Sequence, residues 1–125
     1  MHDKKRYVRF IVVTDHKSQT RCTGVVASLR ILSEEGRLPG YYLDYAKEIF
    51  ERLEEGLPCP PFNQKDWGEC VCWFKDTATE WISLFREIVS ILESCDEQVE
   101  MLSTQSPGMI VYEDDFQVVA KSQKY

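Results

Sequence analysis

The chain has little from which to build a familiar reaction centre. Histidine occurs only 2 times in 125 residues, and His2 and His16 cannot assemble a histidine-rich metal site. The sequence contains no Gly-x-x-x-x-Gly-Lys-Ser/Thr phosphate loop, no Gly-x-Gly-x-x-Gly turn and no Gly-x-Ser-x-Gly elbow. The nucleotide-binding and α/β-hydrolase readings that depend on those glycines are therefore unsupported. No apolar run approaches the roughly 18–20 residues that cross a bilayer. Met1-His2-Asp3-Lys4-Lys5-Arg6 has the basic character of a signal-peptide start, but the apolar stretch Phe10 to Val13 is too short for its core. Basic side chains are outnumbered 15 to 21, giving a net charge of −6. Coating nucleic acid or an anionic membrane needs the opposite sign. The expectation is a cytoplasmic protein without membrane or nucleic-acid partners.

What is present is an ordinary globular composition, 43% apolar and 12% aromatic, with no repeat or low-complexity segment. The length suits a single domain over residues 1–125. The 5 cysteines (Cys22, Cys59, Cys70, Cys72, Cys95) are an odd set scattered through apolar segments. They read as free thiols acting as small hydrophobes rather than a secreted disulfide framework. Structural zinc on Cys59, Cys70 and Cys72 is the weaker alternative. Cys70 and Cys72 share a strand face, but the other ligand would have to arrive by folding. Neither a metal nor a cofactor is expected.

Residues 6–14 are rich in β-branched and aromatic side chains, and Phe10-Ile11-Val12-Val13 is continuously apolar, the pattern of a strand covered on both faces. Asp15 to Thr23 is polar and reads as a loop. Val25, Leu29 and Leu32 begin a helix for which Gly36 is a left-handed cap. Tyr42, Ala46, Ile49 and Leu53 mark a second helix, ended by Gly56 and Pro58, with Glu48, Glu51, Glu54 and Glu55 on its wet side. The prolines of Leu57-Pro58-Cys59-Pro60-Pro61-Phe62 exclude helix and central strand. Glu69 to Phe74 reads as a strand. Thr77-Ala78-Thr79-Glu80 is a capping box for a third helix to Ser94. A short strand over 98–102 follows, then a hairpin of 109–112 and 116–120 turning at Glu113-Asp114-Asp115. The order is β-α-α-β-α-β-β-β. It predicts a small mixed α/β sheet of parallel strands with right-handed crossovers, plus a C-terminal antiparallel hairpin.

Cys72-Trp73-Phe74-Lys75-Asp76 and the run from Pro107 to Ala120 resemble stretches of small uncharacterised bacterial proteins, over about the last two-fifths of the chain. That resemblance implies a bacterial, single-domain protein and no activity.

In a parallel sheet, ligands gather at the carboxyl ends of the strands. The first strand leads into Asp15-His16-Lys17-Ser18-Gln19-Thr20-Arg21-Cys22-Thr23, the chain's densest run of reactive types. Arg21, Thr23, Lys75, Asp76 and Thr77 are the expected ligand-binding residues, suited to a carboxylate or phosphate. Asp15, His16 and Cys22 are the candidates for chemistry, the cysteine because a helix start lowers a thiol's pKa. The alternative is that these are ordinary polar loops whose threonines cap helices. The acidic run Glu113-Asp114-Asp115 suits a hairpin turn better than a cation. Tyr41, Tyr42, Tyr45, Phe62 and Trp67 form an aromatic load that a small core hides poorly, so they are the expected interface. Two functions follow. The first is an acidic interaction or regulatory module with a protein partner or a second copy. The second is a small-ligand-binding domain or hydrolase using the strand-end rim.

Overall fold

The computed structural model describes residues 5–16, 19–61, 67 and 70–121, with the backbone alone for residues 14–16 and 19–23. Among the described residues the elements follow in the order β1 (Tyr7–His16), β2 (Gln19–Gly24), α1 (Val25–Glu34), α2 (Gly40–Gly56), β3 (Cys70–Lys75), α3 (Thr79–Ser94), β4 (Gln98–Thr104), β5 (Met109–Glu113) and β6 (Gln117–Lys121). Among the described residues no helix is long and apolar enough to cross a membrane.

The helices form where apolar spacing predicts. In α1 the buried Val25, Leu29 and Leu32 repeat at four and three. The helix closes on Gly36 at φ +69°, with Arg37 N–H reaching the Leu32 carbonyl at 2.9 Å and Gly36 N–H the Ser33 carbonyl at 3.3 Å. This is the two-bond left-handed ending expected of a glycine there. In α2 Ala46 and Ile49 are fully buried. In α3 Leu84, Ile88, Ile91 and Leu92 form the buried stripe. Its start lies past the expected capping threonine: Ala78 precedes the helix and its carbonyl accepts from Ile82 N–H at 3.0 Å.

The sheet overturns the parallel prediction. Its hydrogen-bonded order is β2-β1-β3-β6-β5, with β4 also pairing with β1. Every described register is antiparallel: β1 with β2, β1 with β3, β3 with β6, and β5 with β6. Helix-separated strands run parallel when a single helix spans the gap between neighbours. Here α1, α2 and residues 57–69 all lie between β2 and β3, and the strand that follows α3 pairs with β1 instead of β3.

The second correction is β2 itself. Of the segment expected as a loop, Asp15 and His16 extend β1 and Gln19 to Thr23 return beside it, with Val13 opposite Cys22 and Thr14 opposite Arg21. The C-terminal hairpin forms as predicted, with an irregularity between Ile110 and Tyr112. Continuous burial of Gln117 through Ala120 fits a strand flanked by neighbours on both edges.

The chain groups into two compact units. The first comprises Met1–Arg9, Leu57–Ile82 and Leu102–Tyr125; the second comprises Phe10–Gly56 and Ser83–Met101. In the first, β3, β5, β6 and the start of β1 form the ladder. In the second, α1, α2 and most of α3 carry buried aliphatic side chains such as Leu29, Ile49 and Ile88, with Phe10 and Phe85 rings 6.2 Å apart.

Candidate functional site

Lys75 ends β3, and there a predicted ligand-binding cation is already engaged. Its Nζ lies 2.6 Å from Glu113 Oε2, and its backbone N–H donates to the Phe116 carbonyl at 2.8 Å. The lysine's hydrogen bond and charge together hold the Glu113 carboxyl below the usual carboxylate range. Two features that sequence reading kept apart, the strand-end cation and the acidic turn, therefore neutralise each other. Asp76 and Thr77 form the exposed turn beyond, with Asp76 N–H donating to the Arg6 carbonyl at 3.0 Å. Asp15, His16, Arg21, Cys22 and Thr23 lie on the β1–β2 hairpin, and their side chains are outside the described residues. The parallel strand ends on which a shared rim was expected are not found among the described registers. Antiparallel pairing sets Lys75, at the carboxyl end of β3, opposite Tyr7 at the amino end of β1.

The best-built polar cluster centres on a residue the sequence reading passed over. Gln117 is only 3% exposed, and both ends of its amide are used. Nε2 donates to the Pro58 carbonyl at 2.6 Å and to Asp114 Oδ2 at 3.0 Å, while Oε1 accepts from the Cys72 thiol at 3.1 Å. Asp114 collects more. Its Oδ1 accepts from Phe116 N–H at 2.8 Å and Gln117 N–H at 3.1 Å, and its Oδ2 accepts from the Tyr112 hydroxyl at 2.9 Å. An aspartate bonding the amide two residues on is how this side chain makes a turn. Burial opposes the Asp114 charge, but these donors outweigh it and leave the carboxyl below its ordinary range. The same bond raises the Tyr112 hydroxyl.

Burial, then the Asp114 charge, pushes the Cys72 thiol up to about 12. A thiol so held is a hydrogen-bond donor and not a nucleophile. The cluster fastens the proline-bearing segment and the β5–β6 turn to the sheet through fully used groups. The sequence signal for Gln117 was one amide ahead of the apolar Val118-Val119-Ala120, since a buried polar side chain needs partners.

Cys59 is exposed, Cys70 and Cys95 are part-buried, and all are free. Among the described residues no three histidine, cysteine or acidic side chains are placed to hold a metal ion. The Trp73 indole N–H is buried and has no hydrogen-bond partner among them, while the Arg9 guanidinium lies 5.5 Å from the Trp73 ring centroid.

The predicted interface aromatics divide. Tyr41, at the start of α2, is 76% exposed, and its ring centroid lies 4.6 Å from that of Tyr42. The Tyr45 hydroxyl donates to Glu87, and that bond, reinforced by burial, pushes it up to about 12. Trp67 packs with Tyr112 at 6.1 Å, and Phe62 lies outside the described residues. Comparison of the chain with family models, curated proteins and solved structures gave no match.

Proposed function

We propose that the protein is a non-enzymatic interaction module that recognises a protein partner through the aromatic start of α2. The observation that carries this reading is Tyr41. A large aromatic side chain at 76% exposure, braced by a neighbouring tyrosine ring, gains most when a partner covers it. Carboxylates follow it on the same helix at Asp44, Glu48, Glu51 and Glu55, spaced three and four apart. A partner surface carrying lysine or arginine beside an apolar pocket complements that face. Tyr42, Tyr45, Phe62 and Trp67 complete the aromatic set from which the interface would draw. The free cysteines among the described residues suit a reducing, cytoplasmic setting.

The alternative, binding or hydrolysis of a small anionic or phosphoester substrate, has less to rest on. Lys75 is occupied by Glu113, and the parallel strand ends it required are antiparallel. Native mass spectrometry of the protein purified gently from its own cells, beside the Tyr41→Ala variant, tests the proposal. The expected result is a co-purifying protein that the variant loses without a change in thermal midpoint. A bare chain, a bound small molecule, or a partner indifferent to Tyr41→Ala overturns it.

A further inference from the structure

Among the described residues β5 pairs only with β6, so its other edge presents unpaired backbone N–H and C=O groups. Such an edge accepts another extended strand unless the sequence blocks it. Blocking usually relies on lysine or other charge along the edge. Here the two leading side chains are apolar and open, Met109 at 61% and Ile110 at 39% exposure. The single carboxylate of the strand, Glu113, is already matched by Lys75 at 2.6 Å. The start of β5 is also held in place. Gly108, at φ +113°, packs so closely that a Cβ there would lie 2.2 Å from the Lys121 carbonyl oxygen.

We propose that β5 is a self-association edge, where a second copy of this chain adds its own β5 antiparallel to the first. Charge favours a second copy. The unit containing β5 carries 8 basic and 8 acidic residues, whereas the other unit carries 7 and 13. Two copies meeting at β5 bring together units without net charge, and contact through the other unit would oppose like charge. Antiparallel pairing of identical strands is a two-fold operation, so one patch serves both partners. A two-fold centred on Ile110 sets this residue beside its counterpart, with Met109 flanking, and separates the two Glu113 carboxylates by facing each to Pro107. β5 is short at 5 residues, its register is irregular, and Pro107 has no N–H to give. These features limit the ladder, so the dimer is weak and reversible. The edge and Tyr41 belong to different compact units of the chain, and neither proposal depends on the other.

Sedimentation velocity from micromolar to millimolar concentration, with amide chemical shifts followed in parallel, tests the edge. The expected result is a mass rising toward that of two chains, with β5 amides shifting as concentration increases. Ile110→Lys and, independently, Met109→Lys weaken the association at least tenfold, and Tyr41→Lys leaves it unchanged. A chain monomeric at millimolar concentration, or a dimer indifferent to both lysine variants, overturns the proposal. So does a dimer lost on Tyr41→Lys alone, since that would place self-association on α2.

Discussion

The two compact units differ in what holds them. The first has no net charge, and much of its interior order is directional: Gln117 bonding Pro58, Cys72 and Asp114, Asp114 gathering four donors, Lys75 matched to Glu113, and Gly108 pressed against Lys121. The second carries the whole −6 of the chain, yet its interior is aliphatic, with Leu29, Ile49, Ile88 and Leu92 at zero exposure. Apolar packing tolerates charge outside it and responds to lost volume. A polar network responds to the loss of one partner, because the remaining buried group is left unsatisfied.

The largest expected effects test that contrast. Ile88→Ala, in the middle of α3, removes a fully buried side chain and leaves a cavity costing about 4 kcal/mol. Ile88→Val at the same site should cost about 1 kcal/mol, since cost there follows volume. In the first unit Gly108→Ala adds one methyl group and should still cost about 3 kcal/mol. The backbone lies where L residues are strained, and the new Cβ meets a backbone oxygen that cannot swing away. Urea unfolding of the three variants checks the set. Equal costs for Ile88→Val and Ile88→Ala, or a silent Gly108→Ala, would break the comparison.

Next in size is the turn. Asp114→Ala strips acceptors from Tyr112, Phe116 and Gln117 together and should cost about 2 kcal/mol. Its pH signature is specific. A carboxyl held below its ordinary value in the folded chain contributes stability above the unfolded carboxylate range. That contribution fades as pH falls through this range toward the folded value. Unfolding free energy should therefore decline on acidification in the native chain and decline less in Asp114→Asn. Parallel acid slopes for the two proteins would show that Asp114 is not the group responsible.

The same contrast explains what was legible in the sequence. Helix periodicity reports aliphatic burial, so α1, α2 and α3 could be read from Leu29, Ile49 and Ile88 almost to their ends. The terminal hairpin was legible because Glu113-Asp114-Asp115 is turn chemistry between two apolar runs. β2 was not. Gln19-Thr20-Arg21-Cys22-Thr23 has no alternating apolar face, and Lys17-Ser18 lacks the Asn-Gly or Asp-Gly signature of a tight hairpin. Strand direction was also hidden, because apolar runs identify strands but carry no polarity, and the long connection from α2 to β3 leaves either sense open. Of the predicted site residues, Lys75 was read as a ligand-binding cation, and in the fold its ammonium pairs with Glu113. Gln117 escaped because a single amide beside a buried run leaves no periodic trace.

The smallest expected effect sharpens the comparison inside the second unit, where α1 and α3 end in the same way on different residues. After α3, Asp96 takes φ +66°, with Glu97 N–H reaching the Leu92 carbonyl at 3.0 Å and Asp96 N–H the Glu93 carbonyl at 3.2 Å. This repeats the geometry at Gly36, with a Cβ in the left-handed region where glycine is free of strain. Asp96→Gly should therefore stabilise the protein by about 0.5 kcal/mol, the relief of strain exceeding the extra freedom gained by the unfolded chain. Gly36→Asp should cost about 1 kcal/mol by the reverse argument. Removing a carboxylate from a unit with 13 acidic residues also eases repulsion, so Asp96→Asn separates the two causes. Asparagine keeps the Cβ and discards the charge. If Asp96→Asn matches the gain of Asp96→Gly in thermal midpoint, repulsion governs this helix end. If it gains nothing, the strained backbone does.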